Sequence, residues 1–479
     1  MNSRMKVACN SAAGQRCARI ALAIFLLAVA CPVCALGYAA PKIGIVSPPV
    51  GAAADGPSDN TAFSQDNRDV RLVAYDSAAD NLVPGDVNQH RDVFVVAKSR
   101  GDNRVGGSLS LVSLSSRGRE GNGDSTHPSV DGTTRAPAHC VAFQSTATNL
   151  ARGDRSPDSD IYVRDLKRDT TELASPRLQD AVGATIDGHC RFAVFEARGA
   201  IYDRDLQAGR TIRVATGNRP DLQTDGKGVV YQRGGQIWYQ QLRFGARGLS
   251  RQGAPRLVST SASGGPASGI SENPSVDDHG EFVVFDSTAT DLCTLKRCGW
   301  DYHPGPNWRS LDPGAVPGGE DANGPVSDVY RADLYVTPAD ALSMLLVSYD
   351  YSYNQLPGPS VDPQISRAGQ QIVFTSGPAD GPRPGPASAS QNVWTWSDAG
   401  HPAAPSHGHL HDWDGVFVCG PFGCPFTSFN GPSTNPSMSS RGNYIAFTSY
   451  ETGMAGEANG AGIGDVFLQF ITGAPFNGT

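Results

Sequence analysis

The sequence predicts an all-β fold, a β-propeller of seven four-stranded blades. Two repeated elements carry this prediction. An Asp-Val-Phe-Val element, or a variant of it, recurs seven times: Asp92–Val95, Asp160–Val163, Ala200–Asp203, Gln236–Tyr239, Asp328–Arg331, Asn392–Thr395 and Asp465–Leu468. Each copy follows a second apolar element ending in an aromatic residue: Tyr75, Phe143, Phe195, Tyr231, Phe285, Phe374 or Phe447. Two β-type elements repeated in fixed order mark a radial array, because no single copy can bury its own apolar faces. The chain ends add a third observation. The seventh repeat has three strands, ending at Phe470-Ile471, whereas Lys42-Ile-Gly-Ile-Val-Ser47 reads as a fourth strand without its first three. The expectation is that this N-terminal strand completes the last blade and removes open sheet edges. Six blades is the alternative, should the weak fourth repeat around Val229-Val-Tyr231 not form one.

Within a blade each strand has its own signature. The clearest copies run Asn273-Pro-Ser-Val through Phe282-Val-Val-Phe-Asp-Ser287 and Asn435-Pro-Ser-Met through Tyr444-Ile-Ala-Phe-Thr-Ser449. Pro-Ser-Val is the inner strand, and the Asp/Ser-Gly cluster after it is a tight turn, where glycine accepts positive φ. Phe-Val-Val-Phe is a near-continuous apolar run, as expected of a strand buried on both faces. Asp-Val-Phe-Val is the third strand, its Asp read as a turn cap. Fourth strands read Leu111–Ser113, Glu172–Ser175, Ile212–Ala215, Arg256–Ser259 and Leu345–Ser348. The aromatics of strands two and three are the expected packing layer between blades, each burying roughly 150–250 Å². Successive strand-two aromatics lie 68, 52, 36, 54, 89 and 73 residues apart. A bare blade takes roughly 40–45, so loop insertions are expected near 293–326 and 398–416, within a single domain spanning 40–479.

The runs Ser366-Arg-Ala-Gly-Gln-Gln-Ile-Val-Phe-Thr-Ser376, Asp277–Ser287 and Asp187–Phe195 resemble the repeat of the TolB-like propeller superfamily, which is related to WD-type repeats. The resemblance covers nearly all of residues 40–479. TolB carries an α/β domain before its propeller, and here only roughly 25 residues stand between the leader and the first full repeat. The resemblance therefore implies a stand-alone exported propeller, of a kind that mostly binds or scaffolds in the cell envelope.

Residues 1–39 read as an export signal. Arg4, Lys6, Arg16 and Arg19 precede the apolar run Ile20–Ala30, and cleavage after Ala35 or Ala39 fits the small-residue rule. Lipid attachment at Cys31 is disfavoured, because Ala28-Val-Ala30 is a poor approach to it. No later apolar run reaches the roughly 20 residues of a membrane helix. Removing those four bases from 39 leaves 35 Lys and Arg against 47 Asp and Glu. The scattered bases of this acidic chain disfavour nucleic-acid binding. Six cysteines remain: Cys140, Cys190, Cys293, Cys298, Cys419 and Cys424. Cys140 with Cys190, Cys293 with Cys298 and Cys419 with Cys424 are the suggested disulfides of an oxidising compartment. A metal site is the rival, weakened because neither close pair has zinc-knuckle spacing.

Two constellations could hold a metal. Asp86, Asn88 and Asp92 alternate in an oxygen-rich loop, as calcium ligands do, although the full EF-hand series is missing. Turn capping by the same residues is the competing reading. His407, His409 and His411 would face one way in an extended segment and could bind zinc, copper or nickel. A plain solvated loop is the alternative there. Nucleophile elbows and phosphate-binding loops are absent from the sequence. The expectation is a periplasmic or secreted monomer that binds or scaffolds a protein or glycan, without catalysis and without a required cofactor. A propeller hydrolase or lyase acting on polysaccharide or peptide at the central mouth is the alternative. A calcium-stabilised surface adhesin is the third.

Overall fold

The computed structural model describes residues 43–45 and 54–470, except 67–70, 98–107, 134, 155, 247, 294–320, 322, 336–342, 349–354, 378–391, 398–408, 413–414, 418–425, 429–432 and 451–463. The propeller lies in the unit Pro41–Thr479. The expected leader lies outside the described residues.

Seven antiparallel sheets follow one another along the chain. After β1 (Ile43–Ile45), blade 1 comprises β2 (Ser58–Phe63), β3 (Leu72–Ser77), β4 (Asp92–Ala97) and β5 (Ser108–Leu111). Blade 2 comprises β6 (Ser125–Val130), β7 (Cys140–Ser145), β8 (Asp160–Asp165) and β9 (Thr170–Leu173). Blade 3 comprises β10 (Ala181–Ile186), β11 (Phe192–Ala197), β12 (Ala200–Asp205) and β13 (Arg210–Thr216). Blade 4 has β14 (Asn218–Leu222), β15 (Gly228–Arg233) and a long β16 (Gln236–Gly245), which pairs with both β17 (Gly248–Arg251) and β18 (Arg256–Leu257). Blade 5 comprises β19 (Ser271–Val276), β20 (Phe282–Ser287), β21 (Asp328–Asp333) and β22 (Met344–Leu346). Blade 6 comprises β23 (Ser360–Ile365), β24 (Gln371–Ser376), β25 (Asn392–Ser397) and β26 (His409–Asp412). A hairpin, β27 (Gly415–Phe417) with β28 (Phe426–Ser428), precedes blade 7, which holds β29 (Ser433–Met438), β30 (Tyr444–Ser449) and β31 (Asp465–Phe470).

The fourth strand of blade 7 is β1, antiparallel to β31 with Ile43 opposite Gln469 and Ile45 opposite Phe467. The N-terminal segment therefore closes the ring as its strand pattern predicts. Blade 4 is complete, so the count is seven. Its extra strand β17 arises because β16 runs past the blade edge and folds back as a hairpin. Some outer strands lie a few residues before their expected positions. β5 ends at Leu111, and Ser113 beyond it serves another purpose. Its Oγ accepts from Val93 N at 3.1 Å and donates to Asp92. Ser175 and Ser348 do the same for Ile161 with Asp160 and for Val329 with Asp328. In blade 4 Gln236 replaces the Asp and accepts from Ser259 at 2.7 Å. These third-strand acids are thus clasps onto the segment after strand four rather than caps of their own turns. A hydrogen bond to a charged group contributes about 1.5–3 kcal/mol.

Packing explains the aromatic repeat. In register, Tyr75 faces Phe94, Phe143 faces Tyr162, Phe195 faces Tyr202, Tyr231 faces Trp238, Phe285 faces Tyr330, Phe374 faces Trp394 and Phe447 faces Phe467. The Tyr75–Phe94 rings stack with centroids 5.8 Å apart. Each pair packs against small aliphatics of the preceding blade. Phe143 and Tyr162 meet Ala74, Val93 and Val95 of blade 1, and Phe285 and Tyr330 meet Val230 and Ile237 of blade 4. Tyr75 and Phe94 meet Ala446, Val466 and Leu468 of blade 7, which seals the ring. Repetition of one aromatic pair per blade is therefore repetition of one interface.

Cys140 at the start of β7 bonds Cys190 in the β10–β11 turn, joining blades 2 and 3. Cys293 is disulfide-bonded as well. Cys298, Cys419, Cys424 and most of the 293–326 insertion lie outside the described residues. Within 398–416, His409–Asp412 is the outer strand of blade 6 rather than loop. Among the described residues no helix is long and apolar enough to cross a membrane.

Candidate functional site

Every inner strand shifts register once, and the residue in the break has left-handed backbone. These residues are Asn60, His127, Gly183, Arg219, Asn273, Asp362 and Asn435, with φ from 48° to 62°. A non-glycine residue held there costs on the order of 1–3 kcal/mol, and such positions persist only where their surroundings enforce them. In five blades the next residue is proline: Pro128, Pro220, Pro274, Pro363 and Pro436. Proline offers no N–H, so it fits where the ladder is already broken.

Hydrogen bonds between blades hold the ring in place. His127 N donates to Asp76 Oδ2 at 2.9 Å, Gly183 N to Gln144 Oε1 at 3.0 Å, Arg219 N to Glu196 Oε2 at 3.3 Å and Asp362 N to Asp286 Oδ1 at 3.3 Å. Each acceptor directly follows the strand-two aromatic of the acceptor's own blade. Asn60 and Arg91 add bonds to Asp76 at 2.8 and 2.5 Å, and Asn435 Nδ2 reaches Asp59 across the blade 7 to blade 1 junction at 2.7 Å. Burial pushes the Asp76 and Asp286 carboxyls up, Asp286 to about 6, while Arg91 opposes the rise at Asp76.

At the other end of the inner strands the seven first turns are joined in a circuit. Gln65 N donates to Asp131 O, Gly132 N to Gly188 O, Gly188 N to Thr224 O, Asp278 N to Arg367 O and Arg367 N to Ser440 O. Gln223 Nε2 reaches Asp278 O at 2.8 Å, and Ser440 Oγ reaches Asp66 O at 2.9 Å. Gly188 is required here by proximity: a Cβ would lie 2.5 Å from Gly132 O. Arg367 crosses the axis inside this belt, its side chain 8% exposed. Its Nε donates to Gln65 Oε1 at 2.8 Å and lies 3.3 Å from Asp278 Oδ1, and its Nη2 donates to Gly132 O at 2.8 Å. Burial lowers the guanidinium to about 10, while Asp278, Asp66, Asp131 and Asp187 hold it charged.

Between ring and belt lies a cavity of about 580 Å³. His127 and Asp362 stand at its rim, exposed Gln364 lies in its wall two residues further along β23, and buried Arg367 forms its floor. Thr61, Ser129, Thr185 and Ser275 line the wall between them, with their hydroxyls tied to neighbouring blades. Thr61 Oγ1 lies 2.5 Å from Ser437 Oγ, Ser129 Oγ accepts from Ile186 N at 3.2 Å, Thr185 Oγ1 accepts from Leu222 N at 3.0 Å and Ser275 bonds Asp221. Arg219 Nη1 binds Glu272 at 2.7 Å and Asn273 Oδ1 at 2.6 Å. Asp221 accepts from Val276 N at 3.0 Å, and burial pushes it up to about 6. His127 Nδ1 sits 3.0 Å from Thr126 Oγ1. The cavity is thus lined by polar side chains that bonds within and between blades hold in place, with one ion pair at the rim. The repeated aromatic and Asp positions could not disclose it, because its seven key residues share a backbone conformation and not a side-chain type. The polar-Pro dipeptide at the middle of most first strands was the available signal.

The residues predicted to hold metal fall elsewhere. Asp86 and Asp92 come together in blade 1, joined by Glu120, which the loop pattern does not reveal. Their carboxylate oxygens lie within 4.8 Å of one another. Asn88 instead clamps the loop, its Nδ2 donating to Asp92 Oδ2 at 2.7 Å and to Gly121 O at 3.1 Å, its Oδ1 accepting from His90 N. His409 and His411 are in β26, opposite Ser397 and Thr395. His407 lies outside the described residues. A second group, Asp131, His139, Cys140 and Cys190, has its sulfurs committed to the disulfide.

No family model matches this chain, and no curated protein matches it. Solved structures do. It is similar to TolB from Acinetobacter baumannii at 13% identity and TM-score 0.32, covering 66% of this chain and 60% of that one. It is similar to the β-propeller domain of the Trilobed protease from Pyrococcus furiosus at 9% identity and TM-score 0.45, covering 88% and 99%. It is also similar to an oligogalacturonate lyase in complex with manganese, at 12% identity and TM-score 0.46, covering 90% and 96%. These distant likenesses carry no argument about activity or partners, and the fold rests on the sheets themselves. The chain is a seven-bladed β-propeller, an architecture consistent with the TolB-like resemblance of its repeat.

Proposed function

We propose that this chain is a non-enzymatic binding propeller of the cell envelope or extracellular space, and that its axial cavity takes a polar group of a protein or glycan partner. The observation that carries this reading is the ring of left-handed rim residues tied blade to blade above a buried arginine. Polar groups fixed before binding spare the ordering cost that a mobile site incurs. Exposed large apolar side chains among the described residues, Val87, Phe244, Ile270, Tyr335 and Tyr450, come from blades 1, 4, 5 and 7. A polar occupant therefore suits the cavity better than an apolar one suits those scattered side chains. Export is supported by the basic-apolar start of the sequence and by the Cys140–Cys190 disulfide, a bond favoured in oxidising compartments.

The test is an array of neutral and acidic oligosaccharides and of peptides, probed with the protein and with Gln364→Trp. Gln364 is exposed in the cavity wall, so an indole there fills the cavity without replacing a core side chain. A ligand retained by the parent and lost by Q364W supports the reading. Equal binding by both removes the cavity from it. A glycan or peptide cleaved on the array would replace binding by the hydrolase or lyase reading.

A further inference from the structure

We propose that blade 1 carries a calcium site built from Asp86, Asp92 and Glu120, separate from the axial cavity. Asp86 is in the β3–β4 loop, Asp92 opens β4, and Glu120 follows β5. Asp92 is fully buried and Asp86 is 5% exposed. The Oδ1 atom of Asp86 is buried and accepts no hydrogen bond. A buried polar atom without a partner is a costly feature that calls for an occupant. Glu120 Oε1 accepts from Val87 N at 3.0 Å, which holds its carboxylate against the same loop. Among the described residues no lysine or arginine pairs with any of the three carboxylates. Asp55 and Asp80 add negative charge beside Asp86, and His90, the basic group near Asp92, faces Asp124 at 3.1 Å.

Blade 5 supplies an internal control. Asp321 and Asp328 take the places of Asp86 and Asp92, and Ser348 clasps Asp328 as Ser113 clasps Asp92. Seven residues after each clasping serine stand Gln355 and Glu120. The following N–H closes on the serine carbonyl in both blades, from Leu356 at 3.0 Å and from Gly121 at 3.3 Å. In blade 5 the Gln355 amide bridges the two acids, at 3.2 Å from Asp321 Oδ1 and 2.6 Å from Asp328 Oδ2. Asp321 keeps its other oxygen without a partner, yet the pair shares a neutral donor. Blade 1 replaces that donor by a third carboxylate. Where blade 5 has an N–H₂ group between two acids, blade 1 has the place for a cation.

The chemistry selects the ion. Three carboxylates with no imidazole or thiolate form an all-oxygen set for a hard cation, and irregular loop geometry suits calcium better than the strict octahedron of magnesium. Asn88 steadies the loop, its Nδ2 on Asp92 and Gly121 O and its Oδ1 on His90 N. Burial first, then the neighbouring acids, pushes Asp86 up to about 7, and burial pushes Asp92 up to about 6.

The experiment titrates calcium chloride into the chelator-stripped full chain by calorimetry and follows melting with and without calcium, for the parent and for Glu120→Gln. The expected result is saturable calcium binding and a raised melting temperature for the parent. E120Q should bind at least about tenfold more weakly, since affinity follows ligand charge. Its calcium-free melting temperature should match or exceed the parent's, because the introduced amide can bridge the acids as that of Gln355 does. Absence of binding to the parent, or equal binding to E120Q, overturns the site. Neither outcome bears on the axial cavity.

Discussion

Replacing the axial arginine tests the ring at its most exposed point of logic. Arg367→Met keeps much of the length of the side chain and removes its charge and its donors. The structure assigns three losses: the bond to Gln65, the bond to Gly132 O and the contact with Asp278 at 3.3 Å. Asp66, Asp131 and Asp187 are each buried and lose the one cation they share. Removing one partner of a buried ion pair costs about 3–5 kcal/mol. Unfolding entropy is about 2.1 cal/mol/K per residue, or about 0.9 kcal/mol/K for a unit of roughly 440 residues, so melting should fall by about 3–5 °C. The assay is differential scanning calorimetry at pH 5 and pH 8. The deficit should be larger at pH 8. Without Arg367 the native carboxyls hold protons more tightly still, and a carboxyl whose folded pKa is raised loses stability as pH rises through the interval above its unfolded value. R367M melting with the parent at both pH values would refute the belt as a structural closure.

Other consequences are as definite. Breaking Cys140–Cys190 by double substitution to serine opens a cross-link spanning 50 residues and should cost about 4 kcal/mol by chain entropy, read as a lower urea midpoint. The parent itself should lose stability as pH rises from about 4 to about 7. Asp131, Asp160 and Asp277 are raised to about 6 and Asp328 to about 7, chiefly by burial, and Asp203 is raised well above the usual range. Urea midpoints at pH 5 and about 7.5 check this, and an increase toward the higher pH would contradict it. Deleting residues 40–47 should bare the edge of β31 and cause concentration-dependent aggregation, measured by light scattering. A deletion that stays monodisperse and melts as the parent does would show that β1 is dispensable.

What could be read from the sequence was whatever each blade must repeat identically. Tyr75 with Phe94 and their six counterparts occupy one interface repeated around the ring, so the same residue types return and the blades can be counted. Closure by residues 42–47 followed from that count. The cavity was hidden for the opposite reason. Asn60, His127, Gly183, Arg219, Asn273, Asp362 and Asn435 share a backbone break, and the side chains facing the mouth are free to differ. Arg367 was hidden because six other blades place Gln, Asp, Gly, Thr or Ser at the belt, and only folding brings them around one guanidinium. Asp86 and Asp92 were legible as an alternating acid loop, but Glu120 comes from beyond β5 and Asn88 faces the loop backbone. The third-strand Asp looked like a turn cap because its partner serine lies some 15–21 residues later in blades 1, 2 and 5.

The proposed function puts partner binding at the mouth ringed by the seven left-handed residues. Hydrogen exchange with and without the array-selected glycan or peptide tests it most directly. Binding at the mouth should bring new protection in the inner-strand peptides that carry His127, Arg219, Asn273 and Asp362, with outer strands unchanged. Protection confined to outer strands β5, β9 or β13, with the inner strands exchanging as before, would contradict it.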